Sequence, residues 1–586
     1  MTREKIWGSL HPFYEGGAVL GRRVANRRFI QALLRRESRG SNGSFDGYHF
    51  FLPTPADCEK LRVELAREYS GLLCSGRLQI RLQRELPAAL ANTEYHCFHL
   101  SDCFTQFSEL QRLRNACAVN IFPITGTTHS LSYAEYGRKF LQHLWGGTST
   151  RDAVLATSSA GRSVVLSMYE QLRQGYELEA QAFPNPQIRV LPLGVEASDL
   201  PDPEERTLLR RQKRRELGFG LNEDNKDFTG ETVFLIFARI SYLSKMDLLP
   251  LLRACKRAEE LGLGPYSLLL AGWQDEGDTF GEEFVRLAKK LGIRARLVLR
   301  PDDAERKALY AAADVFLSPS DNLQETFGLT MLEAAAASLP VIASDFDGYR
   351  DLVLPGETGL LIPTLGPHAT VDTDARSAVI PAAEYHLRLA EQCVVDVPAL
   401  ARAMAELGEN PALRQSMGNK ARERALRDYS WDRVVDLHLA LWEELANTSL
   451  PPEEEARLRA ARHPSCPSYM DIFGGYYSRR LPGSANTSSS LALSSGDKSG
   501  HDLNLEDCRM LRWSTSGEAV YREQDFPVIY SLIEDSLPLP ELKRLLFAAR
   551  RPIALSELAE RFAGVGGTDR DFLLLWALKH DLLEII

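Results

Sequence analysis

Short apolar runs alternate with longer amphipathic stretches twice along this chain, and this alternation constrains the fold more than any other feature. In the first 200 residues the apolar runs cover 47–53, 78–82, 94–100, 118–124, 152–157 and 188–194. A second series covers 232–240, 266–273, 296–301, 314–320, 340–345 and 359–363. Strands that alternate with helices form parallel sheets with helices on both faces. The pattern therefore predicts an α/β protein with two Rossmann-like domains that face a central cleft.

The same pattern predicts where the domains begin and end. We expect Rossmann-like domains over 1–200 and 231–430, an inter-domain linker over 201–230 and a closing helix over 431–449. Residues 450–500 include the Ser/Gly-rich stretch "PGSANTSSSLALSSGDKSG" and are expected to be a flexible linker. Residues 501–586 carry three helix-like stretches, which predict a small, mainly helical, winged-helix-like domain.

Bulk properties narrow the class of protein. The net charge of −10 argues against a nucleic-acid partner, because phosphate binding needs a basic surplus. No apolar run is long enough to span a bilayer, and the first residues lack the apolar core of a signal peptide. The nine cysteines include no CxxC pair, which favours reduced thiols. We therefore expect a cytoplasmic protein.

The stretch "QETFGLTMLEAAAASLPVIAS" (324–344) carries the clearest chemical signal. It follows a buried-type strand, and Gly328 opens a run of strong helix formers. A helix start after a parallel strand attracts phosphate, and glycine lets a ligand approach the backbone. Two carboxylates here suit the hydroxyls on either side of a diphosphate, as in a nucleotide-sugar. Glu333 would take the ribose and Glu325 the donor sugar.

A diphosphate in this position needs cations. Arg239 and Lys245 lie at the end of the first strand of the second series and in the loop after it, within "FARISYLSK". Together with the helix start they could stabilise a departing diphosphate without a metal ion.

These motifs resemble those of the retaining glycosyltransferases of the GT-B fold, in the family 4 group that includes glycogen and sucrose synthases. The two glutamates in "ETFGLTMLE", "SLPVIAS" after them and the Arg/Lys pair carry the resemblance. "EGG" (15–17), "TTHSLS" (127–132) and "LGVE" (193–196) add weaker matches. The sequence departs from the family pattern at Ala238 and Ser338, where glycine is usual.

The resemblance implies a role for each matching residue. It implies catalytic roles for Glu325, His129, Arg239 and Lys245. It also implies that His129 and Gly17 face the reaction centre from the first domain, the acceptor side. Donor binding would use the following residues: Gly17, Arg239, Lys245, Glu325, Phe327, Gly328, Leu329, Thr330 and Glu333. No cofactor and no metal are implied.

Three other features have competing interpretations. "DFD" (345–347) is typical of a metal-binding motif, but its place after a strand favours a structural or acceptor-side role. His96, Cys97, His99, Asp102 and Cys103 could suggest zinc, but residues 96 and 99 of a strand point to opposite faces. The basic helix 21–36 is interpreted as a packed helix with a solvated arginine face, in preference to one that contacts a membrane surface.

The C-terminal segment does not fit a DNA reader. Residues 501–586 contain ten Lys/Arg and fifteen Asp/Glu, and the last helical stretch, "DRDFLLLWALKH", is mainly apolar. A protein or peptide partner is the alternative to simple stabilisation.

The sequence thus predicts a glycosyltransferase that moves a hexose, with retention and without metal, from a nucleotide-diphosphate donor such as a UDP-sugar. The acceptor could be a glycan, a lipid, a small molecule or a peptide. The alternatives are a nucleotide-sugar epimerase and a catalytically inactive scaffold whose tail binds a partner.

Overall fold

The computed structural model describes residues 4–14, 21–39, 44–220, 230–477, 510–523, 539–562 and 567–586. The chain forms two compact units, Met1–Ser465 and Cys466–Ile586. The first unit contains both sheets that the sequence predicts.

The first sheet has seven strands, all parallel. They are β1 (Ile6–Ser9), β2 (Gly47–Leu52), β3 (Leu78–Leu82), β4 (Cys97–Leu100), β5 (Ile124–Thr127), β6 (Ala153–Ala156) and β7 (Gln187–Val190). Their order in the sheet is β3-β2-β1-β4-β5-β6-β7. The helices of this domain are α1 (Gly21–Arg39), α2 (Pro55–Cys74), α3 (Leu86–Asn92), α4 (Phe107–Cys117), α5 (Tyr136–Leu141) and α6 (Ser159–Tyr176), with a 3-10 turn over Gln83–Glu85.

The second sheet is also parallel and has six strands. They are β8 (Thr232–Arg239), β9 (Tyr266–Trp273), β10 (Ala295–Leu299), β11 (Val315–Ser318), β12 (Val341–Ser344) and β13 (Gly359–Ile362), in the order β10-β9-β8-β11-β12-β13. A short antiparallel pair follows, formed by β14 (Thr364–Leu365) and β15 (Val394–Val395). The predicted α/β architecture with two Rossmann-like domains, the GT-B arrangement, is confirmed.

Many helices flank this second sheet or follow it in the chain. A 3-10 turn over Ala197–Asp199 and α7 (Pro203–Leu217) precede it. The helices that follow are α8 (Leu249–Glu260), α9 (Phe280–Lys290), α10 (Asp303–Ala312), α11 (Leu329–Ala336), α12 (Tyr349–Leu352), α13 (Val371–Arg376), α14 (Ala382–Ala390), α15 (Val397–Glu409), α16 (Pro411–Tyr429), α17 (Trp431–Asn447) and α18 (Pro452–Ala460).

Two strand predictions need correction. The strand β1 was not expected. Its four residues, "IWGS", are all buried, but the glycine and the serine interrupt the apolar run by which a buried strand is recognised in a sequence. The apolar run 118–124 is not the strand itself: β5 begins at Ile124, because Pro123 has no N–H to give to a sheet.

The stretch 201–230 is not a simple linker. Residues 203–217 form α7, which packs on α10. Arg214, only 2% exposed, donates to the carbonyl of Ala312 (2.8 Å) and pairs with Asp314, which Arg210 also binds. The guanidinium groups of Arg214 and Arg210 are therefore paired inside the second domain. Residues 221–229 lie outside the described residues.

The chain then returns to the first domain. In α17 the indole N–H of Trp442 donates to the Thr125 hydroxyl (3.0 Å), and Trp442 packs edge-on against Phe29 of α1. In α18, Arg459 donates to the carbonyl of Ala118 (2.7 Å). The prediction of a flexible linker from residue 450 is therefore wrong for α18, while 478–500 lie outside the described residues.

The second unit combines helices with a small sheet. Its helices are α19 (Tyr469–Phe473), α20 (Thr515–Glu523), α21 (Leu539–Ala548), α22 (Leu555–Arg561) and α23 (Gly567–Lys579), with a 3-10 turn over Gly474–Tyr476. The strands β16 (Met510–Trp513), β17 (Ile553–Ala554) and β18 (Leu583–Ile585) pair antiparallel in the order β17-β16-β18. Leucines of α21 and α23 fill its core. The sheet adds to the expected helices, and the winged-helix resemblance stays a prediction.

Candidate active site

Two neighbouring strands of the second sheet deliver the candidate groups to one edge. Strand β8 ends at Arg239, and the loop after it carries Lys245. Its neighbour β11 ends at Ser318, and the loop after it carries Glu325 before α11 begins. Because parallel strands end at the same edge of a sheet, the two loops meet there.

Lys245 and Glu325 form a direct ion pair, with side chains 18% and 11% exposed. The same carboxylate accepts the amide N–H groups of Thr326 (3.2 Å) and Phe327 (3.3 Å) and the phenol of Tyr349 (3.2 Å). Burial alone would raise the pKa of Glu325, but Lys245 and the two amides outweigh it and hold that pKa below its ordinary value. Glu325 is therefore an anion at neutral pH, fixed in place by donors.

The helix start beside this pair needs glycine at 328. Gly328 has φ of +104°, in the left-handed region, and precedes the first residue of α11. A Cβ there would lie 2.8 Å from a ring carbon of Tyr349. The half-buried Leu329 and Thr330 form the first turn, where amide N–H groups have no partner within the helix. These amides could therefore bind an anion.

Glu333 lies one turn further along α11 and is already engaged. It accepts from Arg306 (2.9 Å) and from the phenol of Tyr310 (2.8 Å), both in α10. Burial raises the pKa of Glu333, and Arg306 and Tyr310 only partly offset it. Sequence reasoning missed both partners, since only the packing of α10 on this part of the domain reveals them.

Arg306 extends this cluster toward the first domain. It lies 3.6 Å from Asp199, which pairs at 2.5 Å with Arg28 of α1. Arg28, Asp199, Arg306 and Glu333 line one small cavity, together with Leu329. A chain of alternating charges therefore joins α1 of the first domain to α11 of the second.

The first domain also touches the Glu325 loop directly. The hydroxyl of Ser130 donates to the carbonyl of Gln324 (3.1 Å), and the side chain of Gln324 contacts His386 of α14 (2.5 Å). His386 in turn bonds the Ser132 hydroxyl (3.0 Å). His129, beside Ser130, has its Nε2 2.9 Å from the carbonyl of Ser101. The structure thus brings the His129 loop to the Glu325 loop.

Two predicted donor-binding residues are less constrained by the structure. Within the described ranges, no acidic side chain pairs with the half-buried Arg239. Gly17 lies outside the described residues. The roles predicted for both stay predictions.

The "DFD" segment adds an acid to this site. Asp347 has φ of +49°, and burial, with the nearby Glu325 charge, raises its pKa to about 8. In the part of the chain that the structure describes, no group of three or more His, Cys, Asp or Glu side chains could hold a metal ion. Within 96–103, His99 is buried against Phe29 and Trp442, and Cys97 and Cys103 are buried as well.

The basic helix α1 packs one face into the core of its domain. Phe29, Ile30 and Leu33 are buried, while Arg35 pairs with Glu196 (2.8 Å). Across the described ranges, no helix combines the length and the apolar character that crossing a membrane requires.

Comparison with known proteins places this site in a recognised domain. Residues 221–373 match the sequence model of the family described as "Glycosyl transferases group 1". This stretch includes most of the second sheet domain. The match includes Arg239, Lys245, Glu325 and Glu333.

Curated relatives and solved structures are similar over different lengths. The chain is 34% identical over 130 residues to the D-inositol 3-phosphate glycosyltransferase of Corynebacterium glutamicum, which is 22% of this chain and 30% of that protein. It is 29% identical over 181 residues to the phosphatidyl-myo-inositol mannosyltransferase of Mycobacterium leprae, which is 31% of this chain and 38% of that protein. The chain thus spans about a third of the length of these relatives. Anabaena Alr3699/HepE, solved with UDP and glucose, aligns with a TM-score of 0.47 at 16% identity, over 76% of this chain and 100% of that one.

Proposed function

We propose that this protein is a glycosyltransferase that takes a sugar from a nucleotide-diphosphate donor, with retention and without a metal ion. One observation carries the proposal: the Lys245–Glu325 ion pair lies beside the glycine-started helix α11, so a cation, an anion and free amides converge. A hexose from a UDP-sugar is the donor we expect. The matched family and the named relatives support the reaction class.

The site can assist each part of the transfer. The bond from the anomeric carbon to the diphosphate breaks, and negative charge grows on the leaving group. Lys245, Arg239 and the first amides of α11 would offset that charge. The acceptor hydroxyl forms the new bond to the same carbon, and its proton passes to the departing phosphate. Since Lys245 already contacts Glu325, donor binding would insert phosphate beside this pair.

Glu325 and Glu333 would hold the donor's hydroxyls. The amides of Thr326 and Phe327 fix the Glu325 carboxylate without using all of its lone pairs, so it can still accept from a sugar diol. Arg306 and Tyr310 hold Glu333 in the same way for the ribose. Both carboxylates are therefore oriented before the donor arrives.

The acceptor side has a cavity of suitable size. A pocket of about 470 Å³ lies beyond the ends of β1 and β2, lined among others by His11, Pro53 and Gln83. Ligands of parallel sheets bind at this edge. We place the acceptor there.

A donor panel tests this function. Purified full-length protein is mixed with UDP-, GDP- and ADP-sugars, with and without a chelator, and free nucleotide is measured. We expect release from one donor that is unchanged by chelator and falls at least tenfold in Glu325→Gln. Release that this substitution leaves intact would refute the proposal. The matched control is Glu384→Gln, on the surface of α14, which should keep full activity.

A further inference from the structure

A second cavity of the sheet domain lies on the other side of the donor-binding loops. It measures about 530 Å³ and is formed by the start of α8, the end of α14 and the strand β15. This volume falls in the range of small-molecule sites. The proposed transfer does not use it.

The walls of this cavity are mostly apolar and partly open to solvent. Tyr242, Leu249 and Val394 are large apolar side chains that are exposed by 40%, 40% and 54%, and all three line the cavity. The rings of Tyr242 and Phe280 lie 5.3 Å apart on one side. Exposed apolar side chains that cluster in one concave site are typical of a ligand-binding site, whereas isolated ones are common on any surface.

The charged groups of the cavity are all acidic. Asp247, Asp321 and Glu391 line it, and among the described residues no lysine, arginine or histidine does. Asp321 is only 7% exposed, and the backbone N–H of Asp247 reaches both of its oxygens, at 3.2 and 3.4 Å. Among the described residues, no cation pairs with Asp321. Burial raises its pKa to about 7. Because buried carboxylates are normally paired with a cation, the Asp321 carboxylate offers a position for a cationic ligand group.

The two loops that form this wall are the ones that carry the donor-site pair. The Ser320 hydroxyl donates to the carbonyl of Lys245 (3.3 Å), and the Asn322 side chain donates to the carbonyl of Leu243 (3.2 Å). The amide of Glu325 donates to the carbonyl of Asn322 (3.1 Å). A ligand at Asp321 would therefore contact the back of the segments that position Lys245 and Glu325.

We propose that this cavity binds a small organic amine, whose ammonium group pairs with Asp321 while its apolar body lies against Tyr242, Phe280 and Leu387. Aromatic rings together with carboxylates suit an ammonium ion in particular. The site is distinct from the donor site and does not depend on the proposed transfer.

Calorimetry with two matched probes tests the proposal on the full-length protein. Phenethylamine carries the ammonium, and phenethyl alcohol has nearly the same shape without charge. We expect saturable binding of the amine, and binding of the alcohol weaker by about ten- to hundredfold, the usual value of a charged hydrogen bond. Failure of the amine to bind, or equal binding of both probes, would overturn the assignment.

Substitutions locate the binding. Asp321→Asn keeps the shape and the bond from Asp247, and should weaken the amine tenfold or more while leaving the alcohol unchanged. Glu384→Gln removes one negative charge from α14 outside the cavity and should change neither. Amine binding that survives Asp321→Asn at full strength would overturn the site. Nucleotide release is not measured, so failure here and failure of the transferase proposal are separate results.

Discussion

Replacing Lys245 by methionine removes the cation that the account places at the centre of the donor site. The change leaves the Glu325 carboxylate in a site where it is 11% exposed. Removing one partner of a buried pair typically costs about 3–5 kcal/mol of folding free energy. The bonds from Phe327 and Tyr349 remain, so we expect about 3 kcal/mol, the lower end of that range.

This stability loss should depend on pH in a defined direction. In the wild type the pKa of Glu325 is held below its ordinary value of 4.5, so its pair stabilises the fold above that pH and is lost as pH falls. Without Lys245, burial dominates and the pKa rises. The difference in unfolding free energy between variant and wild type should therefore be small in acid, where Glu325 is protonated in both, and should grow as pH rises from below 4.5.

The catalytic loss should exceed what instability explains. One preorganised charge-stabilising group is worth about a hundred- to a thousandfold in kcat, or roughly 3–4 kcal/mol of barrier. The assay is nucleotide release at saturating donor, at a temperature where both proteins are folded. The control is Lys213→Met, which removes another buried lysine; Lys213 of α7 pairs with Glu216 of the same helix and with Glu305 of α10. It should lose stability but keep kcat. A Lys245→Met protein that retains kcat within threefold of wild type would refute the reasoning.

Three further predictions concern neighbouring groups. Arg306→Met should raise the KM for the donor about tenfold with a smaller change in kcat, because Glu333 loses its guanidinium partner; steady-state kinetics checks this. Asp347→Asn should gain stability over wild type as pH rises from about 4 to about 8, since the buried wild-type acid stays protonated up to about pH 8 while the unfolded chain ionises; urea unfolding across pH checks this. Arg114→Met should lower the unfolding free energy by about 3–5 kcal/mol, because the fully buried Asp152 carboxylate would lose its cationic partner; urea unfolding measures this loss.

Most strands of the two sheets, though not β1, could be predicted because buried parallel strands form continuous apolar runs in the sequence. The runs 232–240 and 266–273 match β8 and β9 within a residue. The linker predicted over 201–230 was wrong for 203–217 because this stretch is rich in charges rather than apolar residues. Its helix packs all the same, since Arg214 is buried where the carbonyl of Ala312 and the carboxylate of Asp314 accept its hydrogen bonds.

The residues around the two glutamates could be predicted where they share one segment or where, like Lys245, they follow the end of a strand. Glu325, Gly328 and Glu333 belong to one loop and helix, so their spacing is visible in the sequence. Arg306 comes from another helix and Tyr349 from the segment after β12, and packing alone brings them to the carboxylates. Such convergence leaves no periodic signal in the sequence.

The most direct test of the central claim is a crystal structure of the full-length protein with a bound nucleoside diphosphate. The account predicts the terminal phosphate within hydrogen-bond distance of the Lys245 ammonium and the Leu329 amide, with the ribose hydroxyls on Glu333. A nucleotide bound away from the start of α11, with the Lys245–Glu325 pair untouched, would contradict it.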